Sequence, residues 1–221
     1  MAHSHSHPHG LAHQFDDLNQ QHESASLGMW AFLVTEVMFF GGLFLAYTFL
    51  RWKYHDAVVA ASGHLDWILG GVNTGVLLIS SLTMAMAVHA AQEGKRKATV
   101  NFLILTMILG AVFLGVKAFE YSHKWHDGLF PGFNFHWTEN PGYAGGAEMF
   151  LFLYFVMTGL HGLHMVVGIG LVAWIIKRAN RGDFTPEYNI PVEITGLYWH
   201  FVDIVWIFLY PLLYLIQPPH H

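Results

Sequence analysis

Residues 28–50 read GMWAFLVTEVMFFGGLFLAYTFL. The run is apolar almost throughout and matches the length of a bilayer-crossing helix, about 20 residues at ~1.5 Å rise each. Glu36 breaks it near the middle, between Thr35 and Val37. A carboxyl group at that depth is costly in hydrocarbon. It must face protein or water, be paired, or stay protonated. An ionisable group held there marks a candidate functional site, and the rest of the chain is expected to supply its partners.

Outward from this stretch the pattern repeats four times. Helical spans are expected over about 27–50, 67–90, 98–121, 147–176 and 194–216. The first ends on Arg51, Trp52, Lys53 and Tyr54, charges with aromatic interface anchors. A short polar loop leads to Trp67. The second span carries Asn73, Thr74, Ser80, Ser81 and Thr83 among small residues, a composition suited to close helix packing and interhelical hydrogen bonds. QEGKRK (92–97) is a tight basic turn into the third span, whose last turns hold Lys117 and Glu120. Their i, i+3 spacing lets them pair, at the outer edge of the span as a possible interface pair. A Gly- and aromatic-rich connection of some 25 residues follows, placed on the membrane surface. The fourth span holds His161 and His164 on one face. Its Gly159, Gly162, Gly168 and Gly170 would let another helix approach. The fifth holds His200 and Asp203 one turn apart, and Pro211 near its end.

Outside these spans lie a polar, His-rich segment over 1–26 and a short tail over 217–221. The first contains His3, His5, His7, His9, His13 and His22 but no Lys or Arg and no short apolar core, so it does not read as a secretory signal. A solvated, disordered tail is the expected reading, ahead of a weak metal-binding one. Ser24 or Ser26 would cap the first span near Leu27.

Composition agrees with a membrane protein. The 221 residues are 54% hydrophobic, 16% aromatic and 11% charged, where soluble domains carry nearer a quarter charged. Mean hydropathy is +0.39. A net charge of −5 gives no nucleic-acid footprint, and the lack of Cys excludes disulfides, thiolate metal sites and cysteine nucleophiles. The Lys and Arg bias sets orientation. Lys95, Arg96, Lys97, Lys177, Arg178 and Arg181 fall on the side of the N-terminus, against Arg51, Lys53 and Lys124 opposite, with Lys117 near the interface. The expected fold is therefore an all-α polytopic membrane helix bundle of five transmembrane helices, N-terminus inside and C-terminus outside.

In that arrangement Glu36 and Asp203 lie at similar depth, roughly 14 Å from the inner ends of their spans by helix rise. His161, His164 and His200 lie nearby in depth. Glu36, His161, His164, His200 and Asp203 are expected to form one intramembrane polar network. Three readings compete. A metal or haem site would use Glu36, His161 and His164, and Glu120-Tyr121-Ser122-His123 spells the Glu-x-x-His of di-iron bundles. A di-iron bundle, however, needs two such motifs and two further Glu residues at one depth. A transporter with Glu36 as proton carrier would show an inverted repeat or broken helices, and neither is visible. The third reading is a non-catalytic subunit whose buried polar groups support a larger complex. No catalytic residue and no metal ligand is assigned to this chain.

The stretches GMWAFLVTEVMFF (28–40), NTGVLLISS (73–81), EGKRK (93–97), FEY (119–121), TGLHGLH (158–164) and YWHFVDIVWIFLY (198–210) resemble, in this order, subunit III of the haem-copper respiratory oxidases, in its short five-helix form. The resemblance covers about residues 26–216. It implies a non-catalytic subunit of an oxygen-reducing, proton-translocating oxidase of aerobic respiration, of cytochrome c oxidase type, with a quinol oxidase as the alternative. It implies that haem and copper lie in subunits I and II and none in this chain. It implies packing on subunit I near the mouth of its proton uptake path, bound phospholipid, and resistance to turnover inactivation. Glu36 would be the family's buried carboxylate, and His161, His164, His200 and Asp203 would occupy its intramembrane polar positions. The expected location is the bacterial cytoplasmic (inner) membrane, multi-pass, with a larger respiratory supercomplex as a further partner. Mitochondrial-type members carry two more N-terminal spans that enclose a lipid-filled cleft. The segment before Leu27 is too short and polar for them, so here a second cleft wall would come from another subunit.

Overall fold

The computed structural model describes residues 11–216. The alternating histidines at 3, 5, 7 and 9 and the tail over 217–221 lie outside them. The chain folds as an all-α polytopic bundle. Five of its helices are long and apolar enough to cross a membrane.

Helix α1 runs Leu18–Lys53. It starts well before the expected Leu27, because Asp17 caps it: the Asp17 carboxylate accepts the Gln20 amide at 2.7 Å. The residues after it, LNQQHESAS, contain no helix breaker, so Ser24 and Ser26 lie inside the helix. At 36 residues α1 is roughly 54 Å long by helix rise and outreaches a ~30 Å hydrocarbon layer. The expected polar loop after it holds a second helix, α2 (His55–Ser62), which buries Ala57, Val58 and Ala61 and packs against α5.

Helix α3 (Trp67–Gln92) begins at Asp66, whose carboxylate accepts the amides of Ile68 and Leu69. Helix α4 (Arg96–His126) packs back along α3 in the most extensive helix contact of the bundle. The turn between them needs Gly94 at φ +70°. In that turn the Lys95 ammonium, 2.8 Å from Glu93, holds the Glu93 carboxyl below its usual range. Helix α4 runs on to His126, past the expected end of its span. The long connection is therefore shorter than the sequence suggests. It folds into an antiparallel pair, β1 (Leu129–Phe130) with β2 (Asn134–Phe135), and a 3-10 turn over Pro141–Tyr143.

Helix α5 (Ala144–Arg181) and helix α6 (Ile190–Tyr214) complete the bundle. Helix α6 has the largest buried share of the five spans and α1 the smallest. Trp199 and Trp206 of α6 are fully buried. Helix α4 admits Trp199 at Gly110, where a Cβ would stand 2.8 Å from the indole ring. Of Gly159, Gly162, Gly168 and Gly170 on α5, Gly168 makes a close approach, against Trp199 and Tyr198, whereas a Cβ at Gly170 would meet nothing within 4 Å. Polar side chains tie the core across helices. Trp199 donates to Ser80 at 3.0 Å, Trp206 to Thr74 at 3.0 Å, and the Thr83 and Thr106 hydroxyls meet at 2.7 Å. Tyr47 of α1 donates to the Leu212 carbonyl.

Candidate functional site

The five expected network residues fall into three separate places. The first joins α1 to α5. Glu36 Oε2 lies 3.2 Å from His164 Nε2, and both side chains are mostly buried. His164 Nδ1 lies 2.8 Å from the Leu160 carbonyl of its own helix. Tyr198 of α6 donates to the His164 carbonyl at 3.0 Å and stacks over the imidazole. Phe40 closes the other side with its ring edge, 5.5 Å between centroids.

The second place joins α3 to α6. His200 Nδ1 lies 2.8 Å from the Ser81 hydroxyl. Asp203, one turn on, is buried, and its carboxylate oxygens make no hydrogen bond of normal geometry among the described residues. Ser81 is the polar side chain that faces it. The third place is His161 alone. It is 1% exposed and both ring nitrogens lack a hydrogen-bond partner among the described residues. Phe113 meets it edge-on at 5.3 Å and Trp206 covers it at 5.1 Å.

Helix geometry explains the division. Residues three apart are about 300° apart around the axis, so they diverge by roughly 60° rather than superimpose. His161 thus points into the core between α4 and α6 while His164 reaches α1. Among the described residues no hydrogen bond or ion pair joins Glu36 to His161, His200 or Asp203.

The tightest polar cluster lies elsewhere. Lys117 and Glu120 pair at 2.8 Å, and they are buried inside the bundle rather than placed at an exposed interface. Lys117 Nζ also donates to the hydroxyls of Tyr154 at 3.1 Å and Tyr214 at 2.7 Å. Both hydroxyls donate in turn to Glu120 Oε1 at 2.7 Å. The three ammonium hydrogens therefore find three acceptors, and the carboxylate receives three donors. The Lys117 charge also sits over the rings of Tyr154, Trp206 and Tyr214 at 5.1 to 5.4 Å. Sequence reasoning missed Tyr154 and Tyr214, because a tyrosine in an apolar run reads equally as packing or as an interface anchor. The signal that could have found them is the cost of Lys117 and Glu120 themselves, which demands hydroxyl or amide partners from facing helices.

Among the described residues no three of His, Asp and Glu converge. Glu120 and His123 of the Glu-x-x-His stretch separate: Glu120 is held in the tyrosine cage and His123 lies against the Phe119 ring at 4.5 Å. His161 is walled by aromatic rings. What the geometry provides is two pairs of deep ionisable groups, Glu36 with His164 across α1 and α5 and Lys117 with Glu120 along α4.

Residues 14–217 match the model of a family described as cytochrome c oxidase subunit III. The chain is 34% identical over 195 residues to the quinol oxidase subunit 3 of Bacillus spizizenii, with 86% of each chain covered. It is 31% identical over 208 residues to the cytochrome c oxidase subunit 3 of Thermostichus vulcanus, with 94% of each covered. It is 34% identical over 200 residues to the cytochrome c oxidase subunit 3 of Oncorhynchus mykiss, covering 85% of this chain and 67% of that one.

Proposed function

The chain belongs to the cytochrome c oxidase subunit III family, and we propose from this that it is a non-catalytic support of a haem-copper terminal oxidase. It packs on the haem- and copper-bearing subunits, carries no haem or copper of its own, sustains proton uptake and protects the complex from inactivation during turnover. It lies in a bacterial cytoplasmic membrane with its N-terminus inside and binds phospholipid. The cytochrome c type is the reading carried forward, and quinol is the alternative donor because relatives of both names match at similar identity.

The observation that supports this reading is that two pairs of deep ionisable groups close on each other inside the chain. Glu36 meets His164, and Lys117 meets Glu120. A chain that worked as a carrier or a redox centre would instead aim such groups at a shared cavity or ion.

The test is oxygen consumption and proton pumping in sealed vesicles, for wild type, Glu36→Gln and complex lacking this chain. The expected result is near-normal initial turnover in Glu36→Gln, because the amide keeps the shape and a hydrogen bond to His164. Complex without the chain should still reduce oxygen, with slower proton uptake and earlier inactivation. An assembled Glu36→Gln complex that cannot reduce oxygen would place Glu36 on the catalytic proton route and end the support reading.

A further inference from the structure

The Glu36–His164 contact fixes a proton count. His164 Nδ1 faces the Leu160 carbonyl at 2.8 Å. A carbonyl oxygen only accepts, so Nδ1 must carry its hydrogen. The neutral imidazole then presents a lone pair at Nε2. That nitrogen lies 3.2 Å from Glu36 Oε2, whose ionised form also only accepts. Two lone pairs at that distance repel, and in a partly buried site the repulsion is poorly screened. The contact closes only when a hydrogen lies between Nε2 and Oε2.

We propose that Glu36 and His164 form a proton-holding dyad, with one exchangeable proton shared between His164 Nε2 and Glu36 Oε2. On the nitrogen it makes an imidazolium–carboxylate pair, and on the oxygen a neutral acid with a neutral imidazole. Either way the pair is neutral, so the proton moves within it without changing the charge at that depth. This explains how a carboxyl is kept in the middle of α1. The other titratable group that faces the dyad is Tyr198 of α6, stacked on the imidazole; His161, one turn back on α5, is turned away against Phe113 and Trp206. Leu160 and the Tyr198 hydroxyl act as positioning groups: the first sets the tautomer, the second holds the His164 backbone. The inference stands on the tautomer geometry and does not depend on which oxidase the chain serves.

The experiment is nitrogen NMR on the full chain, labelled with 15N-histidine and held in phosphatidylcholine nanodiscs. His164 is identified by the signals lost in His164→Gln. Nδ1 should read as a protonated nitrogen, and Nε2 should be displaced from the lone-pair position and shift when H2O is replaced by D2O. In Glu36→Gln the amide donates to Nε2, so Nε2 should move to the lone-pair position while Nδ1 stays protonated and the His161 signals stay where they were. Three results would overturn the proposal. One is a lone pair on Nδ1. Another is an Nε2 signal that Glu36→Gln leaves unchanged. The third is a wild-type Nε2 signal that does not move when H2O is replaced by D2O, which means no exchangeable hydrogen lies between Nε2 and Oε2 and needs no variant. Failure here leaves the oxidase assignment untouched, since that rests on partners rather than on this proton.

Discussion

Lys117 has three hydrogens to place and Glu120 has lone pairs to fill, and Tyr154 and Tyr214 supply the difference. A buried ion pair gains little over apolar packing when complete, but removal of one partner strands the other charge. Glu120→Leu should therefore destabilise the chain by about 3–5 kcal/mol, whereas the double change Lys117→Met with Glu120→Leu should recover most of that loss. Thermal unfolding in mild detergent measures both. A double variant as unstable as the single one would mean that the cage contributes through the tyrosines and not through paired charge. The sequence placed Lys117 and Glu120 within reach of each other by spacing alone. It could not reveal that they face inward, because the direction around a helix axis is decided by the neighbours that a span packs on.

Trp199 organises the elements. Its ring lies at Gly110 of α4 and Gly168 of α5, and its indole nitrogen reaches Ser80 of α3. Gly110→Val would set side-chain carbon where 2.8 Å separates an ideal Cβ from the ring. The expected cost is about 1–3 kcal/mol, typical of overpacking a full core. Gly170→Ala, two residues on and so about 200° round the helix axis, should cost nothing, because its Cβ would meet nothing within 4 Å. Comparing the unfolding temperatures of the two variants checks the assignment of faces, and equal losses would contradict it. The five spans were legible because an apolar run of sufficient length has few other uses. The cap at Asp17, the helix α2 and the β1–β2 pair were not, since each depends on a local hydrogen bond or on a surface supplied by a distant helix. The grouping of the candidate site was half legible. Depth follows from residue count, which brought out Glu36 and the histidines, but the division into three places follows from azimuth and from which helix lies beside which.

At the scale of the whole molecule, an odd number of crossings, five, is expected to leave the two ends of the chain on opposite sides, with the first end inside by the Lys and Arg bias. Because the chain contains no cysteine, Ser4→Cys and His220→Cys give single labelling sites without further change. An impermeant thiol reagent added to sealed right-side-out vesicles should label position 220 and reach position 4 only after permeabilisation. Labelling of both from the same side would remove the five-span topology. The broad apolar surface of α1, with Trp30, Val34, Val37 and Phe49 exposed, needs lipid or another subunit to cover it. The most direct measurement is affinity capture of this chain from its native membrane in mild detergent, followed by the visible spectrum and metal content of the eluate. The account predicts co-recovery of a larger partner with the haem and copper of a terminal oxidase, whose reduction by cytochrome c or by quinol identifies the donor. Recovery of this chain alone, with no oxidase spectrum, would contradict it.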